Sequence, residues 1–120
     1  MEKKDNLKLL RIFVGESDKC KHKALYEEII FQAKKSGLAG ATAVRGIMGF
    51  GAHSIIHKTK MIELSNDLPI IIEIVDTEDR IEKFIDTVVL LFDESKNGGL
   101  ITIEKIEVVL YKPGEKKNHP

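Results

Sequence analysis

The stretch Ile70-Ile-Ile-Glu-Ile-Val-Asp-Thr-Glu-Asp79 decides the fold, because it places a strongly apolar strand directly before a helix. Five of its first six residues are apolar and β-branched, which favours a strand whose two faces both require burial. Its last four residues combine a helix N-cap signal with two carboxylates in the first helical turn, where the helix dipole favours negative charge. We therefore predict a strand over Ile70–Val75 followed by a helix.

Helical spacing continues downstream of this stretch and recurs near the N-terminus. The downstream helix is predicted to end near Ser95. The upstream helix is predicted from Lys23 to Ser36. The apolar positions with helical spacing in the downstream helix are Ile81, Phe84, Ile85, Val88, Val89 and Phe92. Those in the upstream helix are Leu25, Ile29, Ile30 and Ala33.

Three further strands are predicted, over Leu7–Val14, Ala39–Met48 and Leu100–Tyr111. In the last of these the alternation of apolar residues changes phase at Glu104-Lys105. A phase change exposes the wrong face of a strand, so it indicates a bulge or a break into two strands.

The predicted order is strand, helix, strand, strand, helix, strand. This order is the split βαβ, or ferredoxin-like, α+β sandwich, with two helices on one face of an antiparallel sheet. Two helices cover one face only, whereas Ile70–Val75 requires burial on both, so we expect other copies of the chain to cover the open face. We expect a single domain over residues 1–120, with flexible polar ends at 1–6 and 113–120.

Composition narrows the functional classes. The chain has 19 Lys and Arg and 19 Asp and Glu, so its formal net charge is zero, which argues against nucleic acid as a partner. Its one cysteine, Cys20, cannot form an intrachain disulfide, so a reducing cytoplasm is the expected location. No apolar run reaches the length of a membrane span.

Two glycine-containing segments are candidate binding loops. Gly46, Gly49 and Gly51 lie within Arg45–Ser54, but no Gly-Lys-Ser/Thr follows them and they open no helix, so they match neither common phosphate-binding fingerprint. A ligand loop and a simple bend both remain possible. Asn97-Gly98-Gly99 is either a turn or, beside Lys96, an anion cradle built from backbone amides.

Catalytic and metal signals are weak. His53 and His57 are four residues apart, but glycines and β-branched residues around them argue against a helix, so surface histidines are the preferred interpretation and no metal is predicted. Cys20 lies between two lysines without an identifiable base, and Glu82 and Asp86 fit a solvated helix face. We do not expect an enzyme.

Together these segments resemble the PII signal-transduction proteins. The resemblance rests on a strand entering Gly46-Ile-Met-Gly-Phe-Gly51, a long loop, the turn Leu68-Pro69 and the apolar strand Ile70–Val75. Gly37-Leu-Ala-Gly-Ala-Thr42 and Arg45-Gly46 are typical of the PII-like branch long called uncharacterised. The similarity extends from Leu7 to Tyr111.

This resemblance implies a cytoplasmic signalling protein that forms a homotrimer and binds an adenine nucleotide, ADP or ATP, at clefts between subunits. It implies that the T-loop, residues 49–68 between strands 2 and 3, contacts a partner protein, and a membrane transport protein would fit the habit of the family. The positions implied for the nucleotide are Gly49, Phe50, Gly51, Ala52, Asn97, Gly98, Gly99, Leu100 and Lys112. Those implied for the partner are His53, Ser54, His57 and Lys58.

The sequence also departs from the PII pattern. The basic pair on the last strand is missing, which leaves Lys112 as the cation there. No tyrosine lies between Gly51 and Leu68, and no glutamine follows Gly51, so neither uridylylation nor 2-oxoglutarate sensing is expected. Two alternatives stay open: a metal-responsive trimer similar to the CutA proteins, with His53 and His57 as ligands, and a small enzyme on the same scaffold.

Overall fold

Six strands and two helices make up the part of the chain that the computed structural model describes, residues 6–51 and 67–115. In chain order they are β1 (Leu7–Gly15), β2 (Lys19–Cys20), β3 (Lys23–Ala24), α1 (Leu25–Lys35), β4 (Thr42–Arg45), β5 (Pro69–Thr77), α2 (Glu78–Ser95) and β6 (Leu100–Lys105).

Four of the strands form one antiparallel sheet in the order β4-β5-β1-β6. β1 and β5 pair along their whole length, from Leu7 opposite Thr77 to Gly15 opposite Pro69. The two helices contact each other and the central strands. The predicted α+β sandwich of ferredoxin type, with an antiparallel sheet and two helices, is therefore confirmed.

The core lies between the helices and one face of the sheet. Every second residue is buried from Leu10 to Val14 in β1 and from Ile70 to Asp76 in β5. The buried residues of β1 in this range lie opposite buried residues of β5, as Ile12 lies opposite Ile72. Leu25 and Ile29 of α1 and Phe84 of α2 are equally buried against them. Cys20 belongs to the same cluster and is 6% exposed, so its thiol is part of the core.

The opposite face of the sheet is less covered. Phe13 and Ile71 face each other there and are half-buried, as are Leu9 and Val75. Between these apolar pairs, Arg11 donates a hydrogen bond from Nε to Glu73 Oε2 at 2.9 Å and also pairs with Glu104. The hydrogen bond to Glu73 raises the pKa of Arg11. The strand Pro69–Thr77 is thus buried by its own chain on one face only, as its sequence led us to expect.

The strand predicted over Ala39–Met48 spans only Thr42–Arg45. The ladder ends where Pro69 would be the next partner, because proline has no backbone N–H to donate. One last bond remains, from the Gly46 amide to the Pro69 carbonyl at 2.7 Å. The chain therefore leaves the sheet at Gly46.

The first helix begins at Leu25, two residues later than predicted, because Lys23 and Ala24 form a small hairpin with β2. Lys21 and His22 at its tip have φ values of 56° and 95°, the left-handed conformation that a two-residue hairpin turn requires.

The last strand ends at Lys105, at the phase change in the sequence. The expected break is present, but the residues after it, 106–115, form no second strand within the described chain. Antiparallel pairing explains the end of β6, because β1 begins at Leu7 and offers no further strand partner beyond it. Among the described residues after β6, the Ile106 amide still donates a hydrogen bond to β1, to the Leu7 carbonyl at 3.2 Å.

Thr77 is the N-cap residue of α2, but its side chain makes no capping hydrogen bond. The neighbouring Asp76 is buried instead, with 1% of its surface exposed. Its carboxylate accepts hydrogen bonds from the Thr77 amide at 2.7 Å and from the Ala39 amide at 2.9 Å. Asp76 therefore connects the loop after α1 to the start of α2.

Candidate functional site

A cleft of about 800 Å³ lies at one end of the sheet. β1 and β4 end there, and β5 and β6 begin there, so four chain segments meet at the same end of the sheet. Its described lining consists of Phe13, Val14, Gly15, Asp18, Gly49, Phe50, Gly51, Asp67, Pro69, Gly98, Gly99 and Leu100.

The fold brings together the two glycine segments singled out in the sequence. Gly49, Phe50 and Gly51 lie on one side of the cleft and Gly98, Gly99 and Leu100 also line it, although β5 and α2 separate the two segments in sequence. Asn97 and Lys112 do not belong to the lining. The other implied positions, Ala52, His53, Ser54, His57 and Lys58, lie outside the described residues.

Three of the glycines are explained by close packing. A Cβ atom on Gly46 would lie 2.6 Å from Pro69 Cγ, and one on Gly49 would lie 3.0 Å from the same atom. A Cβ atom on Gly99 would lie 2.7 Å from both the Phe13 carbonyl oxygen and Phe92 Cζ. At these positions the absence of a side chain lets two segments approach, so the glycines shape the cleft.

Gly98 and Gly51 are different, because a Cβ atom on either would meet no heavy atom within 4 Å. Both line the cleft, so a side chain there would enter open space. The amides of Gly98 and Gly99 donate to no group within the described chain, which leaves two N–H donors beside the cleft.

Asn97 has a structural part in the same loop. Its side-chain amide donates to the Lys19 carbonyl at 2.8 Å and to Ser95 Oγ at 2.9 Å. Lys96 before it has φ 58° and ends α2 in the left-handed conformation. The glycine loop is thus fixed to β2 and to the end of α2.

Two carboxylates that the sequence analysis did not select also line the cleft. Asp18 accepts a hydrogen bond from the Gly15 amide at 2.9 Å, and Asp67 accepts one from the Ser17 amide at 3.0 Å. In the sequence both residues lie in polar turn segments, and such a position does not predict whether a side chain lines a cleft.

The loop after β1 and the start of β5 are joined by further contacts. The Glu16 amide donates to the Leu68 carbonyl at 2.8 Å, and the Glu16 carboxylate pairs with Arg45. The described lining of the cleft contains two carboxylates and no lysine or arginine. Arg45 is not a lining residue and pairs with Glu16.

A second depression, of about 540 Å³, lies on α2 and is lined by Asp79, Glu82, Lys83 and Asp86. It holds three carboxylates and one lysine, and Glu82 and Asp86 are exposed as the solvated helix face predicted for them. All four of its lining residues lie within α2, so it offers neither a glycine loop for phosphate groups nor an aromatic side chain for a base.

Within residues 6–51 and 67–115, no group of three or more His, Cys, Asp or Glu side chains has a geometry that could hold a metal ion. His53 and His57, the ligands of the CutA-like alternative, are outside these ranges. The described helices include none that is long and apolar enough to cross a membrane.

Comparison with known proteins assigns the chain to a family. The DUF190 family model, described as uncharacterized ACR, matches residues 7–108. A UPF0166 protein of Aquifex aeolicus is 39% identical over 102 residues, which cover 85% of this chain and 92% of that relative.

Among solved structures, CPII of Thiomonas intermedia K12 bound to ADP, AMP and acetate superposes with a TM-score of 0.62 at 19% identity, covering 87% of this chain and 89% of that one. The same protein, described as a nitrogen regulatory PII-like protein, superposes in its complex with ADP, AMP and bicarbonate with a TM-score of 0.61 at 20% identity, covering 89% and 94%. The fold is thus the PII-like fold that the sequence resemblance implied. Because the family model spans most of the chain, the protein belongs to the DUF190 family.

Proposed function

We propose that this protein is a PII-like regulatory protein that binds an adenine nucleotide, ADP or ATP, in the cleft between its two glycine segments. The observation that carries the proposal is the convergence of Gly49–Gly51 and Gly98–Leu100 on one cleft at the end of the sheet. It is supported by the shared fold with CPII, whose structures contain ADP and AMP.

The cleft contains groups that can bind the phosphates of a nucleotide and groups that can bind its base. The amides of Gly98 and Gly99 are N–H donors without a partner in the described chain, and successive amides of this kind bind phosphate oxygens. Phe50 is 70% exposed, and Phe13 is a second aromatic residue of the lining. An adenine ring can stack on an exposed aromatic side chain, which contributes about 1–3 kcal/mol for a base.

Both ends of the T-loop border the cleft. Gly51 at its start and Asp67 near its end are lining residues, so an occupant would contact the loop on both sides. A nucleotide with different affinity for two loop conformations shifts their populations, and the loop then presents a different surface. We propose that residues 49–68 contact a partner protein in this way, and the PII resemblance suggests a membrane transport protein.

The open face of the sheet supports self-association. Phe13, Ile71 and Val44 form an apolar row across three strands, and Val44 is 45% exposed. Water contact with such a row is unfavourable, so covering it with another copy is stabilising. We propose a homotrimer, and the cleft at the sheet end would then lie near a subunit boundary.

Calorimetric titration with AMP, ADP, ATP and cyclic AMP tests the nucleotide proposal, with GDP as a control for the base. We expect at least one adenine nucleotide to bind with a Kd well below 1 mM and more tightly than GDP. If none binds below about 1 mM, which corresponds to about −4 kcal/mol, the nucleotide proposal is wrong.

A further inference from the structure

The small hairpin of β2 and β3 is strongly basic. Residues 19–23, the basic hairpin, read Lys-Cys-Lys-His-Lys. Cys20 is buried in the core, whereas the other four residues are exposed. None of these four side chains forms an ion pair within the described chain. The three lysine charges are therefore available to a ligand.

The basic hairpin is attached to the chain beside the cleft. Lys19 directly follows Asp18, which lines the cleft. The Lys19 carbonyl accepts the 2.8 Å hydrogen bond from the side chain of Asn97, the residue before the glycine pair. At the base of the hairpin, the Leu25 amide donates to the Asp18 carbonyl at 2.8 Å. These bonds fix the hairpin next to the glycine loop of the cleft.

Three basic residues near this attachment have a left-handed backbone. Lys21, His22 and Lys96 have φ values of 56°, 95° and 58°, and no other described non-glycine residue has a positive φ. A hairpin turn and a helix end normally use glycine or asparagine in this conformation. Residues kept in a disfavoured conformation cluster at ligand sites, so lysine and histidine at these positions indicate a role for their side chains.

The end of α2 offers a structural explanation for the same charges. Its last turn contains no basic residue and includes Asp93 and Glu94. A lysine near the negative end of a helix dipole is stabilising without any ligand. The two roles differ in what the loss of a lysine changes. A structural role changes the stability, whereas a ligand role changes the affinity for phosphate groups.

We propose that Lys19 and Lys96 bind the outer phosphate groups of a nucleotide in the cleft, and that the rest of the basic hairpin adds to the positive potential there. This inference rests on the proposed function and specifies its phosphate site. The first phosphate meets the Gly98 and Gly99 amides, and the chain beyond it extends towards the hairpin.

Charge balance supports this assignment. The described lining holds two carboxylates and no lysine or arginine, so a polyphosphate there needs positive charge from beside the cleft. Lys19 is one residue from the lining residue Asp18, about 3.8 Å between Cα atoms, and its side chain has a flexible four-carbon stem. Lys96 is two residues from Gly98, is exposed and forms no ion pair within the described chain.

Calorimetric titration of Lys19→Gln and Lys96→Asn with AMP, ADP and ATP tests the inference. Glutamine removes the charge and keeps a polar chain, and asparagine tolerates the left-handed conformation at position 96. We expect each variant to bind ATP about tenfold and ADP about threefold more weakly at low salt, with AMP within about twofold of the wild-type value, because each lost charge acts on the outer phosphates.

Lys35→Gln is the matched control, because Lys35 is an exposed lysine at the other end of α1 from the hairpin. It should bind all three nucleotides as the wild-type protein does. All three variants should keep the wild-type melting temperature. Inorganic tripolyphosphate, which has no base or ribose, should cause saturable shifts of the amide resonances of residues 19–23 and 96–99 in the wild-type protein.

Three results would overturn the inference and leave nucleotide binding intact: equal losses for AMP and ATP, losses no larger than that of the Lys35 variant, or a lower melting temperature with unchanged selectivity. The last of these would assign the lysines to the end of α2. If the wild-type protein binds no adenine nucleotide, the proposed function is wrong. The tripolyphosphate titration then still decides the phosphate site, because absent shifts at 19–23 would exclude it.

Discussion

Gly98 and Gly99 are neighbours in sequence, yet the structure gives them different physical reasons to be glycine. A side chain on Gly99 would collide with Phe13 and Phe92, whereas one on Gly98 would enter the cleft unopposed. The sequence predicted the glycine pair as a candidate loop but could not separate these cases, since the difference depends on residues distant in the chain.

This difference makes Gly98→Val a selective probe of the cleft. We expect it to weaken ADP binding by at least tenfold, about 1.4 kcal/mol, because the new side chain occupies the space that the ligand needs. The melting temperature should not change, since no heavy atom lies within 4 Å of the new Cβ position.

Gly40→Val is the matched control, because Gly40 also has nothing within 4 Å of a Cβ position and does not line the cleft. It should bind ADP as the wild-type protein does. Equal affinity in the Gly98 and Gly40 variants would exclude the loop from the binding site.

Substitution of Asp67 tests how the negative charge of the cleft affects nucleotide affinity. The sequence did not reveal this charge. Asp67→Asn removes one negative charge and keeps an oxygen that can accept the hydrogen bond from the Ser17 amide. We expect ADP to bind about threefold to tenfold more tightly at low salt, and ATP to gain more than AMP, because repulsion grows with ligand charge.

Asp86→Asn, on the exposed face of α2, serves as the control for net charge and should leave all three affinities unchanged. Weaker binding to the Asp67 variant would contradict this account, since it would mean that the carboxylate itself holds the ligand.

At the scale of elements, strong local patterns were sufficient to predict the two helices and the central strands, whereas their ends were set by distant partners. β4 stops at Arg45 because of Pro69, and β6 stops at Lys105 because β1 begins at Leu7. The small hairpin of β2 and β3 carries two non-glycine residues with positive φ, which no turn signature in the sequence indicates.

Asp76 shows how one side chain connects elements. The sequence identified it as part of a helix cap, and the structure adds a bond to Ala39 that only the folded chain could reveal. Asp76→Ala would leave the Ala39 and Thr77 amides without their acceptor in a buried environment, so we expect a loss of about 1–3 kcal/mol of unfolding free energy.

Urea denaturation measures this loss, with Asp86→Ala as an exposed control that should stay within about 0.5 kcal/mol of the wild-type value. A comparably small effect at Asp76 would show that its hydrogen bonds do not hold the α1–β4 loop to α2.

At the scale of the whole molecule, the decisive step is that the antiparallel order of strands brings two glycine segments to one end of the sheet. The sequence alone left each segment ambiguous between a bend and a binding loop. The family resemblance predicted their convergence, and the sheet topology provides the physical reason, because β4 ends and β6 begins at the same end of the sheet. Asp18 and Asp67 also lie at this end of the sheet, in turns with no distinctive sequence.

The central claim is that this cleft binds an adenine nucleotide, and amide chemical-shift mapping with ADP tests it most directly. We predict saturable shifts concentrated on Gly49–Gly51 and Gly98–Leu100, with little change in α2 from Asp79 to Asp86. Saturable shifts centred on α2, or none at millimolar ADP, would contradict the account.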